Sequence, residues 1–166
     1  MKWLGVLMVF SCCTAAGFFY AESIAEKRRI CVEMISYWKS FRQLLQTSRE
    51  NPLILIDRLA ESSAYSDFCF AMEMKRFAVW EHSFSDTMAH LFEQEKGDYL
   101  FLRHCLSPLE KTLGCAPLET EIQVLDTVLL RLEQERSYWS EKEDRQAGLS
   151  RRLGLLCGTL LVVVLL

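Results

Sequence analysis

All 22 acidic residues and every basic residue except Lys2 lie between Glu22 and Arg152, so the two ends are charge-free. Trp3 to Ala21 ("WLGVLMVFSCCTAAGFFYA") is one apolar run, and Leu153 to Leu166 is another, behind Arg151 and Arg152. As helices they span about 28 Å and about 21 Å, against a hydrocarbon core of roughly 30 Å. Counting back to Ala147 lengthens the second to about 30 Å, with Arg151 and Arg152 snorkelling toward head groups. The chain is therefore expected to carry transmembrane helices at 1–21 and 147–166, flanking a soluble domain at 22–146.

The main rival for the first run is a cleaved signal peptide. Lys2 gives a thin basic start, "TAA" at Thr14–Ala16 offers a cleavage site, and "VFSC" at Val9–Cys12 loosely resembles a lipoprotein site. The run continues past both through Phe18, Phe19 and Tyr20, which suits an uncleaved anchor better. Orientation follows the basic residues near the span ends. Lys27, Arg28, Arg29, Lys142, Arg145, Arg151 and Arg152 lie on the domain side, and only Lys2 lies outside. The domain is expected in the cytoplasm and both chain ends on the far side.

A net charge of −3 excludes the basic stripe of a nucleic-acid binder. Seven cysteines, two of them adjacent at Cys12 and Cys13, make no even framework. In a reducing compartment Cys31, Cys69, Cys105 and Cys115 are expected to be small buried residues. They have no metal-ligand spacing, so no zinc or other cofactor is expected.

Between the runs the pattern is helical throughout. Ile24, Cys31, Met34, Ile35, Trp38, Phe41 and Leu45 recur at three- and four-residue steps, with no breaker back to the first span. Asn51 and Pro52 form a cap and first position for a new helix bearing Leu53, Ile56, Leu59 and Ala60. From Ser62 to Lys96 a crowded stripe runs through Tyr65, Phe68, Met72, Phe77, Trp80, Phe84, Met88, Leu91 and Phe92, with starts expected at Ser66 and Ser85. "EKGD" (Glu95–Asp98) is a turn. Leu100, Leu102, Cys105, Leu106, Leu109 and Leu113 continue the core to a stop at Gly114, with a break and restart expected at Pro108. Leu118, Ile122, Leu125, Leu129, Leu132 and Trp139 mark a long last helix, whose polar end reads as a solvated stalk. The fold class is all-α: a compact helical bundle between two membrane helices.

Catalytic signals are poor. His82, His90 and His104 lack a metalloprotease spacing, and no Gly-rich phosphate loop occurs. The carboxylates of the last helix read as ion-pair partners. The chain is expected not to be an enzyme. The spans carry more information. "GLLCG" places Gly154 and Gly158 at GxxxG spacing, and "GFFYA" places Gly17 and Ala21 at small-xxx-small spacing, both of which admit close helix packing in lipid.

Taken together, "GF" at Gly17–Phe18, "NPL" opening the second helix with "RLA" at Arg58–Ala60, Trp80, "TLG" at Thr112–Gly114, the long charged helix and the closing "LG" with its aliphatic tail resemble the stage III sporulation protein AB family. The resemblance covers essentially the whole chain. One departure is that the family usually has glutamine shortly after the "TLG" glycine, where this chain has Glu119 and Glu121, following Pro117. The resemblance implies the mother-cell side of an apparatus joining mother cell and forespore. It also implies a bundle similar to the cytoplasmic domains of type II secretion F-type platform proteins. The implied partners are a secretion-type ATPase, stage III sporulation protein AA, and other membrane subunits. The alternatives are a membrane-tethered helical sensor or signalling regulator, and a helical domain exported after signal cleavage.

If Gly154 and Gly158 serve close packing, replacing both with Leu should leave a membrane protein but weaken its association with neighbouring spans by about 1–2 kcal/mol. Co-purification of membrane complexes from the double variant tests this, and undiminished assembly would make the glycines incidental.

Overall fold

Between Phe18 and Ser48 there is neither glycine nor proline, so nothing in the sequence interrupts a helix. In the computed structural model the first helix, α1, runs unbroken over Lys2–Ser48. The structure describes residues 2–48, 50–65, 68–78, 84–93, 99–147 and Leu156. Within these helices the side chains at 2–7, 9, 10, 13, 14, 77, 78, 85, 90, 91, 93, 146 and 147 lie outside the description. Among the described residues every regular element is helical. After α1 come α2 (Pro52–Glu61), α3 (Cys69–Ala78), α4 (Phe84–Glu93), a 3-10 turn (Leu100–Leu102), α5 (Arg103–Thr112) and α6 (Leu118–Lys142), which ends in a π-turn (Glu143–Ala147).

Compactness divides the chain into two units, Met1–Ile30 with Glu135–Leu166, and Cys31–Gln134. In the second unit, consecutive helices pack together: α2 on α3, α3 on α4, and α4 on α5. Its core gathers around Tyr37 and Trp38, both fully buried. The Tyr37 ring lies 5.4 Å from Trp38, 5.5 Å from Tyr65 and 5.7 Å from Phe70, all edge-on. Trp38 adds Phe41 at 5.3 Å and Phe84 at 6.5 Å, and Phe70 reaches Tyr99 at 5.3 Å. Each such edge-to-face pair contributes about 0.5–1.5 kcal/mol beyond its buried area.

Local signals set the ends of the helices. The Asn51 side chain accepts the Leu53 N–H at 3.0 Å, and Pro52 opens α2, as the sequence predicts. The Tyr65 hydroxyl ties the turn after α2 back to α1. It donates to the Ser36 carbonyl at 3.0 Å and lies 2.7 Å from Ser40 Oγ. Lys75 on α3 reaches Asp57 at 3.0 Å and Glu61 at 2.9 Å on α2, and these hydrogen bonds, Glu61 first, raise its pKa. On α1, Arg42 Nη2 donates to Asp126 Oδ2 on α6 at 3.1 Å, and Nε lies 2.6 Å from Oδ1, off the hydrogen-bond axis. Lys39 pairs with Glu133 at 2.9 Å. Surface pairs of this kind contribute between zero and about 1 kcal/mol each.

All seven residues of the predicted α1 stripe are buried. Elsewhere the pattern needs correction. Met72 and Leu100, expected in the core, are 48% and 47% exposed. A turn at Ser62–Tyr65 separates α2 from the ten-residue α3, whose buried face is Phe70, Ala71 and Met74. Met72 therefore falls on the outer face. On α2, Leu53 is half-buried and Leu55 takes the core position instead. Cys31 and Cys105 are buried, but Cys69 and Cys115 are exposed, one at the start of α3 and one in the turn after α5. Pro108 does not break its segment: α5 runs through it. The carbonyl that loses its donor belongs to His104, which is exposed to water. The expected start at Ser66, the turn at Glu95–Asp98 and Trp80 lie outside the described residues.

Of the expected membrane helices at 1–21 and 147–166 the structure gives no support: among the described residues no helix is long and apolar enough to cross a membrane. Leu156 alone of the C-terminal run is described.

Gly114 has a left-handed φ of 81°, which glycine adopts without steric penalty, and α5 stops just before it. Its N–H donates to Glu121 Oε1 at 2.7 Å, with Glu121 only 5% exposed. Glu121 thus latches the turn onto α6. Glu121→Gln should keep most of the stability, since an amide oxygen still accepts, whereas Glu121→Ala should lose about 1.5–3 kcal/mol in urea denaturation. Equal loss from both would show that charge, not the acceptor, holds the turn.

Burial raises the Tyr37 pKa far above the usual tyrosine range, with the charge of Tyr65 second, and among the described residues its hydroxyl has no hydrogen-bond partner. An unsatisfied buried hydroxyl destabilises by about 1–3 kcal/mol. Tyr37→Phe should therefore leave the unfolding midpoint unchanged or raise it, and a clear drop would mean that the hydroxyl is satisfied in solution.

Candidate functional site: a lysine–aromatic collar

The most distinctive group of side chains belongs to the first unit, where the sequence turns from apolar to charged. Ala21 and Ile24 are buried on α1, while Phe18, Phe19 and Tyr20 are exposed just before them. A turn further along, Lys27 places its ammonium 4.7 Å from the centre of the Trp139 ring. Lys142 lies 4.8 Å from the same ring and 5.5 Å from Tyr138. One nearly buried indole is thus approached by two lysines. Each contact of this kind contributes about 0.5–1 kcal/mol at an exposed site and more where water is excluded.

Ion pairs neutralise the neighbouring guanidiniums. Arg28 Nε donates to Glu143 Oε2 at 2.6 Å, which ties α1 to the π-turn. Arg29 pairs with Glu26 at 2.8 Å and Arg145 with Glu141 at 2.6 Å, one helical turn apart in each case. A surface recess of ≈ 170 Å³ is lined by Tyr138, Glu141, Lys142 and Arg145.

Of the residues expected at the membrane interface, Lys27 lies over Trp139 and Arg28 pairs with Glu143, whereas Arg29 pairs with Glu26 on its own helix, and Arg151 and Arg152 lie outside the described residues. Of the expected packing residues, Ala21 is buried and Gly17 is half-buried. Gly154 and Gly158 lie outside the described residues. Sequence reasoning missed the contribution of α6. Trp139 is buried, as the stripe of the last helix predicts, but Tyr138, Lys142 and Glu143, expected in a solvated stalk, join it in the collar. The readable signal was "YW" (Tyr138–Trp139) followed by Lys142 on a helix approaching an apolar run, the pairing of interfacial aromatics with snorkelling lysines.

Elsewhere the chemistry is sparse. The His104 Nε2 lies 3.3 Å from Cys105 Sγ, while His82 and the His90 side chain lie outside the description. Tyr99 has its pKa raised well above the usual range, by burial first and then by hydrogen bonding to Cys69. None of Cys12, Cys31, Cys69, Cys105 and Cys115 is in a disulfide.

The family model for stage III sporulation protein AB matches residues 2–166. The chain belongs to the stage III sporulation protein AB family. No curated protein and no solved structure matches it. Membership carries a role in stage III of sporulation and suggests protein partners within the sporulation apparatus. In this family member the lysine–aromatic collar joins the root of the apolar run to the end of the long charged helix.

Trp139 should dominate the stability of the collar. Trp139→Ala is expected to cost about 3 kcal/mol in denaturant unfolding, and Arg28→Gln less than about 1 kcal/mol. A larger loss from Arg28→Gln would shift the weight to the ion pair with Glu143.

Proposed function

We propose that this protein is a non-enzymatic, membrane-mounted assembly platform of the apparatus joining mother cell and forespore. Its soluble helical domain faces the mother-cell cytoplasm and docks a secretion-type ATPase, stage III sporulation protein AA, alongside other membrane subunits. The single observation that best supports the mount is the collar. Tryptophan, tyrosine and lysine together are the side chains that settle at head-group level, with rings at the boundary and ammoniums in water. Here they lie in the same unit as an apolar run whose Phe18, Phe19 and Tyr20 are exposed. The two apolar runs supply the anchors, and the excess of basic residues on the domain side sets the orientation. Family membership supplies the setting.

A single thiol placed at Ser140 in an otherwise cysteine-free full chain tests the topology. It should react with a membrane-permeant reagent and resist an impermeant one in intact cells, and labelling by the impermeant reagent would refute the cytoplasmic domain. Detergent-solubilised full chain should also co-purify with the ATPase. A failure to do so while the chain stays in the membrane would remove the docking role and keep the mount.

A further inference from the structure

Among the described residues, Lys142 of the collar has no carboxylate within ion-pair distance. Arg28, Arg29 and Arg145 have theirs at 2.6, 2.8 and 2.6 Å. The Lys142 ammonium faces two rings instead, Trp139 at 4.8 Å and Tyr138 at 5.5 Å. A ring face uses little of an ammonium's hydrogen-bonding capacity, because its three N–H donors still need acceptors. These donors border the ≈ 170 Å³ recess lined by Tyr138, Glu141, Lys142 and Arg145.

We infer that this recess binds the head-group phosphate of an anionic phospholipid, with Lys142 as its charged ligand and the exposed Tyr138 as the flanking interfacial ring. The charge balance selects the anion. Glu141 stands at the rim, held by Arg145 at 2.6 Å, and repels a second negative charge. A phosphodiester with a single charge therefore fits better than a free phosphate dianion. The setting selects the source, since the exposed Phe18, Phe19 and Tyr20 belong to the same unit and acyl chains can lie along them. The inference rests on the membrane mount proposed above.

The test uses the full chain in neutral detergent micelles, titrated with phosphatidylglycerol, phosphatidylcholine or inorganic phosphate, with melting temperature as the readout. Phosphatidylglycerol should raise the melting temperature saturably, and the other two should not. Lys142→Gln should move the phosphatidylglycerol midpoint about five-fold higher, the effect of one lysine near an anionic surface, and Lys142→Arg should hold it. Lipid counted on the extracted wild-type chain by native mass spectrometry, which needs no variant, should favour phosphatidylglycerol over phosphatidylcholine. Equal responses to the two lipids, or an unchanged midpoint in Lys142→Gln, would overturn the site, and a response to inorganic phosphate would overturn the lipid assignment. Release of the chain from membranes by alkaline carbonate would refute the mount itself. A chain that stays in the carbonate pellet but ignores lipid charge would refute only the lipid site.

Discussion

Trp38 and Tyr37 stand next to each other on α1, both fully buried, and the second unit is built on what they touch. Consecutive residues on a helix point about 100° apart, so together they cover a wider arc than the usual i, i+3 stripe. Trp38 meets Phe41, Phe70 and Phe84, and Tyr37 meets Tyr65, Phe68 and Phe70. Phe70 on α3 contacts both, which fixes that helix against α1 from two sides. The arrangement buries the Tyr37 hydroxyl and the Trp38 indole N–H without partners. Packing outweighs that loss, because each ring removes a large apolar area from water while one unsatisfied group costs about 1–3 kcal/mol.

Charges do a different job from rings in this protein. In the second unit, Arg42 with Asp126 and Lys39 with Glu133 join α1 to α6, and Lys75 joins α3 to α2. These pairs are partly exposed and add little to stability, but opposite charges at fixed positions penalise other registers between the helices. In the collar, two lysines converge on one indole, which attracts them electrostatically without neutralising them. At Lys142 that leaves a positive charge beside two aromatic rings.

Helical periodicity made the α1 stripe legible, since burial there follows a single face over many turns. Asn51–Pro52 and Gly114 were legible for a different reason. Each meets a backbone requirement that few residues can satisfy: a side-chain acceptor, a preset φ, and a left-handed φ. Met72 and Leu100 misled because α3 and the 3-10 turn are short, and a short segment can turn its outward face to an apolar residue at small cost. Tyr37 was missed because a stripe drawn through Trp38 leaves no place for its neighbour. The collar was hidden because its members come from distant parts of the chain, Lys27 and Arg28 from α1, and Trp139, Lys142 and Glu143 from α6 and the π-turn. Spacing within either segment does not reveal a contact between them.

The departure from the family's glutamine pattern after Gly114 has a structural resolution at Glu121. What Gly114 requires is an acceptor oxygen one turn into α6, within reach of an N–H that the end of α5 leaves without a helical partner. Glu121 supplies it at 2.7 Å. A glutamine carbonyl has the same length and the same acceptor, so either residue closes the turn. Pro117 fits as well. It lies just before Leu118, and its carbonyl accepts the Thr120 and Glu121 N–H groups at 2.9 and 3.1 Å, in the manner of a residue that opens a helix. Two positions that depart from the family's pattern are thus part of how this chain passes from α5 to α6. Glu119 is exposed, and a carboxylate there in the first turn of α6 is favoured by the positive end of the helix.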